Sequence, residues 1–169
     1  MNAAYILSQL DSNAGVFNEI LKNIPAELIT WKVQPEKWCL LEIVCHLHDE
    51  EREDFRARLR HVLETPNDPL PSIDPVGWVA ERNYIGQDFH TQLKKFSQER
   101  EESVRWLKSL VNPNYENAFQ HPKFGPLSGR LFMSNWLAHD YLHIRQITKV
   151  KYDYLAKVSG ETLDYAGTW

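Results

Sequence analysis

The sequence predicts an all-α protein, specifically a four-helix bundle. Four stretches repeat apolar residues at steps of three and four, the spacing of one helix face, and no stretch alternates convincingly as a strand. The chain has 169 residues, of which 43% are hydrophobic and 12% aromatic. This is enough to close one core without disulfides or a structural metal. We therefore expect a single domain over residues 1–169, built from four amphipathic helices.

Proline and capping residues delimit the four helices. Pro25, Pro66 and Pro113 each stop an apolar repeat, because proline cannot continue a helix. Ser128 follows a Gly-Pro pair and precedes the fourth repeat, where it is a candidate N-cap. The predicted helices span about residues 3–23, 39–64, 83–111 and 129–150.

The connections between these helices are longer than a bundle usually needs, which is typical of functional loops or of crossover connections. They cover residues 25–37, 66–82 and 112–129. Aromatic residues within them predict ordered loops packed over a bundle end: Trp31, Trp78, Tyr115, Phe119 and Phe124. The tail over 151–169 also carries aromatic residues, so we expect it to dock on the bundle.

Charge and cysteine content narrow the function classes. The formal net charge is −4, which gives no electrostatic reason to expect nucleic acid or an anionic membrane as a partner. Cys39 and Cys45 lie too far apart on one helix to form a disulfide, so both are expected to be reduced thiols. No signal peptide and no membrane-spanning segment is predicted, and we expect a cytoplasmic protein.

Two of the seven histidines, His139 and His143, are four residues apart on the fourth helix. This spacing places both imidazoles on one face, one turn apart, where they can share a metal ion. Trp136 and Gln146 fall on the same stripe and are candidates to line a pocket, with a core position as the alternative for Trp136. Arg145 points away and is expected to be a surface residue. The alternative is a pair of core histidines satisfied by hydrogen bonds.

A third ligand could come from the second helix, which offers His46 and His48. These residues are about 200° apart around a helix, so only one of them can face a given site. Periodicity leaves the choice open. His48 projects with the apolar residues, and His46 lies at the edge of that arc, aligned with Glu50. Glu50 is a candidate acid–base or supporting residue, or else part of an acidic run on a solvated face.

Several short motifs occur together at the separation seen in one known family. They are PEKW at 35–38, EIVCHL at 42–47, GPLS at 125–128 and HDYLHIRQI at 139–147. In these motifs the chain resembles the DinB-like (DinB/YfiT) superfamily of metal-binding four-helix bundles. The resemblance runs from the first helix to Ile147. One departure is Cys39, where the family often has a Ser or Thr that caps the second helix, so we expect weaker capping here.

The resemblance implies up-down-down-up connectivity and often a homodimer. It also implies that His46, His139 and His143 hold a divalent ion, and this choice of His46 over His48 comes from the family pattern. Three protein ligands leave a position open for substrate, as in catalytic zinc sites, and an all-imidazole site suits zinc or nickel.

Characterised relatives include transferases that use low-molecular-weight thiols. The leading hypothesis is therefore a metal-dependent enzyme of the thiol S-transferase type, acting on a small-molecule substrate. The alternatives are a non-catalytic metal-binding dimer and a metal-dependent hydrolase.

Overall fold

Four long helices form the body of the protein in a computed structural model that describes residues 1–169. The second helix is continuous through three segments, with a π-helical turn in its middle. The first, third and fourth helices span Ala3–Ile20, Phe89–Ser109 and Gly129–Ser159, and the segments of the second are Leu40–Asp49, Glu50–Phe55 and Arg56–Glu64. The all-α prediction is confirmed, and none of the helices combines the length and apolarity needed to span a bilayer.

Hydrogen bonds and ring contacts between helices establish the connectivity. The first helix runs antiparallel to the third and parallel to the fourth, as shown by Asp11 with Lys108, Asn18 with Ser97, Gln9 with Tyr141 and Ile20 with Lys151. The second helix runs antiparallel to the fourth and parallel to the third, as shown by Phe55 with Trp136, His46 with His139, Glu51 with Arg100 and Arg56 with Ser103. The order is therefore up-down-down-up, as the resemblance implied.

The core consists of two apolar clusters with a polar layer between them. One cluster contains Phe17, Leu47, Phe96 and Ile147, and the other contains Leu10, Phe55, Leu107 and Leu137. Each helix places a buried polar residue between its contributions to the two clusters, namely Asn13, Glu51, Arg100 and Asp140. Because buried polar groups need partners, this layer fixes how the four helices align along the bundle axis.

The third helix begins at Phe89 rather than near residue 83, so the predicted start was too early. Asp88 is the N-cap, and its Oδ1 accepts a hydrogen bond from the Thr91 backbone N–H at 2.8 Å. The residues just before it, Tyr84–Gly86, form a separate 3₁₀ turn. The predicted N-cap Ser128 is confirmed, because its Oγ accepts from the Leu131 N–H at 3.1 Å.

The fourth helix continues to Ser159, nine residues beyond its predicted end at 150. The added turns are stabilised by the loop after the first helix. Tyr154 packs edge-on against Trp31 at 5.4 Å and donates a hydrogen bond to Glu27. Gly160 then ends the helix in the left-handed region, with φ of 68°. At the end of the tail, Trp169 contacts Tyr152 at 5.2 Å, as expected for a docked segment.

A short β-hairpin precedes the fourth helix, although no strand was predicted. Strands Ala118–His121 (β1) and Gly125–Ser128 (β2) pair antiparallel, and Phe119 lies opposite Leu127. Both of these side chains pack on the apolar cluster around Leu59, whereas Phe124 at the turn is 66% exposed and does not pack as expected. Four-residue strands are too short for their alternation to stand out in a sequence.

Candidate metal centre

Three histidines from two helices converge in the polar layer. The Nε2 atom of His139 lies 3.2 Å from Nε2 of His46 and 3.0 Å from Nε2 of His143. One ring nitrogen from each lies within 4.8 Å of the others. Nitrogens bound tetrahedrally to zinc at 2.0–2.1 Å are about 3.3 Å apart, so the spacing fits a single ion. The structure thus brings together the three residues that the resemblance named.

Gln146 orients one of these rings. Its Oε1 lies 2.8 Å from Nδ1 of His143, so Nδ1 carries the proton and donates it to the amide oxygen. The lone pair of His143 Nε2 is then free and faces the other two histidines. Metal-binding histidines are usually held in this way, with one ring nitrogen donating to a second residue and the other facing the metal. Gln146 was predicted to line a pocket, and the structure places it both there and against His143.

All three imidazoles are neutral at physiological pH. Burial is the main cause, and it lowers the pKa of His46 to about 3 and that of His139 to about 2. The pKa of His143 is also lowered by burial. A neutral imidazole is the form that coordinates a metal, so these residues need not lose a proton to bind one near pH 7.

His48 faces another part of the molecule. Its Nδ1 lies 3.4 Å from Asp49 Oδ1, and it lines a polar cavity of about 360 Å³ together with Arg82 and Tyr84. This cavity is separate from the three histidines, none of which lines it. Of the two histidines that periodicity left open, the fold therefore places His46, and not His48, beside His139 and His143.

Aromatic side chains surround the three histidines. Trp38 lies 4.8 Å from the His46 ring and Phe55 lies 4.9 Å from the His139 ring. Trp136 stacks on Phe55 at 5.9 Å, but it is fully buried and donates its indole N–H to Glu51. Trp136 is therefore a core residue and does not line the cavity, so the core alternative holds for it and the pocket-lining one does not.

A cavity of about 1060 Å³ opens beside the centre. Trp38 and Gln146, each in contact with one of the histidines, line it. The other lining residues come from the loop before the second helix, from the fourth helix and from the tail: Val33, Gln34, Lys37, Leu142, Arg145, Lys149, Val150, Asp153, Thr168 and Trp169.

Arg100 anchors a buried ion network beside His139, and the sequence analysis missed it. It binds Glu51 from the second helix and Asp140 from the fourth, and Asn13 from the first helix donates to Asp140 at 3.0 Å. A signal was available in the sequence. Arg100 lies four residues after Phe96 on the apolar stripe of the third helix, where a charged residue must have buried partners.

Glu50 is buried, so the interpretation of its acidic run as a solvated helix face was wrong. Asp49, Glu50 and Glu51 are each at most 5% exposed. Burial, together with the neighbouring Asp54, raises the pKa of Glu50 to about 8. Its Oε1 has no hydrogen-bond donor, which fits a protonated carboxyl that shares its proton with Asp54. Glu50 does not line the cavity beside the histidines.

Replacing Glu50 with Gln is expected to remove a pH dependence of stability. The folded-state pKa lies above the unfolded value of 4.5, so the stability that the protonated group contributes is lost as pH rises from about 4.5 towards 8. The wild-type free energy of unfolding should fall by on the order of 1 kcal/mol per pH unit in that window. Urea unfolding at several pH values measures this slope. Glu64→Gln, an exposed change on the same helix, is the control, and equal slopes for wild type and Glu50→Gln would contradict the assignment.

Neither cysteine is expected to react in the folded protein. Cys39 and Cys45 are free but at most 2% exposed, and burial raises the pKa of their thiols to about 11 and about 12. Because the thiolate is the reactive form, modification by a disulfide reagent at pH 8 should be at least about a hundredfold slower than for a free thiol. Both should react after unfolding in urea, and rapid modification of the native protein would show that the thiols are accessible.

Cys39 forms a capping box with Glu42, in which its side chain faces the Glu42 backbone N–H. Its own backbone N–H donates to Glu42 Oε2 at 2.9 Å, and Glu42 also binds Lys32 at 2.8 Å. This holds the start of the helix that carries His46.

Comparison with known proteins agrees with the fold. A model of the DinB superfamily matches residues 9–147, and no curated protein matches the chain at a significant level. The fold is similar to that of YfiT from Bacillus subtilis, described as a probable metal-dependent hydrolase with an unusual four-helix bundle topology. The TM-score is 0.78 at 14% identity, over 95% of this chain and 89% of that one. Since the family model covers most of the sequence, the chain belongs to the DinB superfamily.

Proposed function

We propose that this protein is a metal-dependent enzyme of the thiol S-transferase type, with a divalent ion held by His46, His139 and His143. The observation that carries the proposal is the convergence of three neutral imidazoles beside a cavity large enough for a substrate. A divalent ion bound there would supply a Lewis acid that lowers the pKa of a coordinated thiol. The all-imidazole ligand set suits zinc or nickel.

The lining of the cavity supports transfer from a thiol. Its only carboxylate is Asp153, which is paired with Lys149. No free carboxylate therefore faces the cavity as a general base. A thiol has a pKa near 8.5, so it needs less help from a base than water does. Unpaired cationic side chains at the cavity would also favour an anionic nucleophile.

Hydrolysis is the second candidate function. Its support is the similar structure of YfiT, which is described as a probable metal-dependent hydrolase. The same Lewis acid would polarise a carbonyl or phosphoryl oxygen. Because the likeness is one of fold, the two activities must be separated by assay.

We further propose that the enzyme is a cytoplasmic homodimer. Two free buried thiols fit a reducing compartment. Tyr5 and Tyr141 are 52% and 45% exposed on the first and fourth helices, which pack side by side, and they offer an aromatic surface to a second copy. Light scattering coupled to gel filtration measures the mass, and a monomer at micromolar concentration would refute the dimer.

The deciding experiment measures consumption of low-molecular-weight thiols by an electrophile, with protein loaded with zinc or nickel. The wild type should consume thiol, and His139→Ala should lose at least about 99% of that rate, because a lost ligand removes the ion. His48→Ala should retain activity. Ester hydrolysis by the same preparations tests the second candidate. If several thiols and electrophiles give no turnover while exogenous thiol also fails to perturb a bound cobalt or nickel spectrum, the non-catalytic alternative is favoured.

A further inference from the structure

We propose that the cavity beside the three histidines binds an organic anion, a small molecule with an apolar body and a carboxylate or phosphate group. This inference rests on the proposed function, because it names the substrate class of the same site. The supporting observations are the contact of two lining residues with the histidines, the charge of the lining, and the apolar side chains that share the cavity wall.

None of the three histidines lines the cavity, but two of its lining residues contact them. Trp38 forms part of its wall and packs against the His46 ring, and Gln146 forms another part and holds His143. A molecule in the cavity would therefore touch the residues that surround the ligand atoms. Its volume of about 1060 Å³ lies at the upper end of small-molecule sites.

The lining is positively charged although the protein carries a net charge of −4. Three cations, Lys37, Arg145 and Lys149, face one carboxylate, Asp153, which is paired with Lys149. Lys37 and Arg145 have no carboxylate partner, whereas Arg58, Arg82 and Arg100 are each paired within the bundle. Two unpaired cations at one cavity repel each other, and a bound anion would relieve that repulsion.

Arg145 indicates the type of anion. A guanidinium presents parallel N–H donors that match the two oxygens of a carboxylate or phosphate. Arg145 lies two residues after His143 and one before Gln146, and it was expected to be only a surface residue. The structure shows it exposed and on the cavity wall, where it can bind a ligand group that also approaches the centre.

Apolar and aromatic side chains form most of the remaining wall, beside Gln34, Gln146 and Thr168. Trp38 and Trp169 contribute indole rings, and Leu142 and Val150 contribute aliphatic surface from the fourth helix. Trp169 is held by Tyr152, and the Lys149 ammonium lies 5.9 Å from its ring centre. Such rings pack well against a flat apolar body, so the cavity complements a molecule that is apolar at one end and anionic at the other.

The test uses a pair of probes that differ only in charge, 4-phenylbutyrate and its neutral amide, titrated calorimetrically into metal-loaded protein. The carboxylate should bind at least about fivefold more tightly than the amide. The double change Lys37→Gln with Arg145→Gln should weaken carboxylate binding roughly tenfold and leave amide binding unchanged. Arg130→Gln is the matched control, because Arg130 is an exposed arginine on the same helix, paired with Glu116. Arg130→Gln should change neither the carboxylate affinity nor the amide affinity.

The outcomes separate this inference from the proposed function. Equal binding of both probes, no binding of either at millimolar concentration, or full carboxylate affinity in the double variant would overturn it. If His139→Ala abolishes carboxylate binding while the double variant has no effect, the ion holds the anion and the inference is wrong. If the wild type binds no metal but retains charge-dependent binding, the inference stands and the proposed function fails.

Discussion

Replacing His139 with Ala should lower the affinity for zinc by at least about a hundredfold. Loss of a residue that only supports a ligand typically costs 10–100-fold, so loss of a ligand itself should cost more. His139 is also the residue whose Nε2 lies close to both other nitrogens, at 3.2 and 3.0 Å. Competition with a chromophoric chelator, together with metal analysis after dialysis, measures the change.

Matched variants identify each contribution to metal binding. His46→Ala should behave like His139→Ala, and His48→Ala should bind zinc like the wild type. Gln146→Leu removes the acceptor for His143 Nδ1 and should weaken binding by about 10–100-fold. Retention of zinc by His46→Ala with loss in His48→Ala would refute the assignment of the third ligand.

The sequence predicted two of the histidines directly and could not choose the third, for a physical reason. His139 and His143 share one regular α-helix, where a spacing of four fixes their common face. His46 and His48 lie in the segment Leu40–Asp49, where every residue from Leu40 to Leu47 is buried. A segment buried all round has no single apolar face, so periodicity cannot tell which histidine faces the other two.

Other differences between the predicted and the observed structure arise from contacts between segments that are distant in the sequence. Glu51 is buried because it meets Arg100 and Trp136 from two other helices, and neither contact is visible in an acidic run. The fourth helix extends past Val150 because Tyr154 finds Trp31 in the first loop. The bundle itself follows from local periodicity, and so it could be predicted. The polar layer depends on which helices become neighbours, and so it could not be predicted in full.

Arg100→Met should destabilise the protein by about 3–5 kcal/mol, the cost of removing one partner from a buried ion network. Arg100 is 1% exposed. Its five guanidinium hydrogen bonds, at 2.7–3.1 Å, go to Glu51, Asp140 and the Leu10 carbonyl. Without it, two buried carboxylates would lack a cation. Since small domains are stable by only about 5–15 kcal/mol, the variant should unfold at much lower urea concentration.

Two comparisons test whether the stability loss in Arg100→Met comes from unpaired buried charges or from lost packing. Arg105→Met, an exposed arginine on the same helix paired with Glu102, should change stability by less than about 0.5 kcal/mol. Adding Glu51→Gln and Asp140→Asn to Arg100→Met removes both stranded charges and should recover part of the loss. A deficit that the triple variant does not relieve would mean that Arg100 acts through its apolar stem alone, and that the ion network does not hold the helix carrying His139.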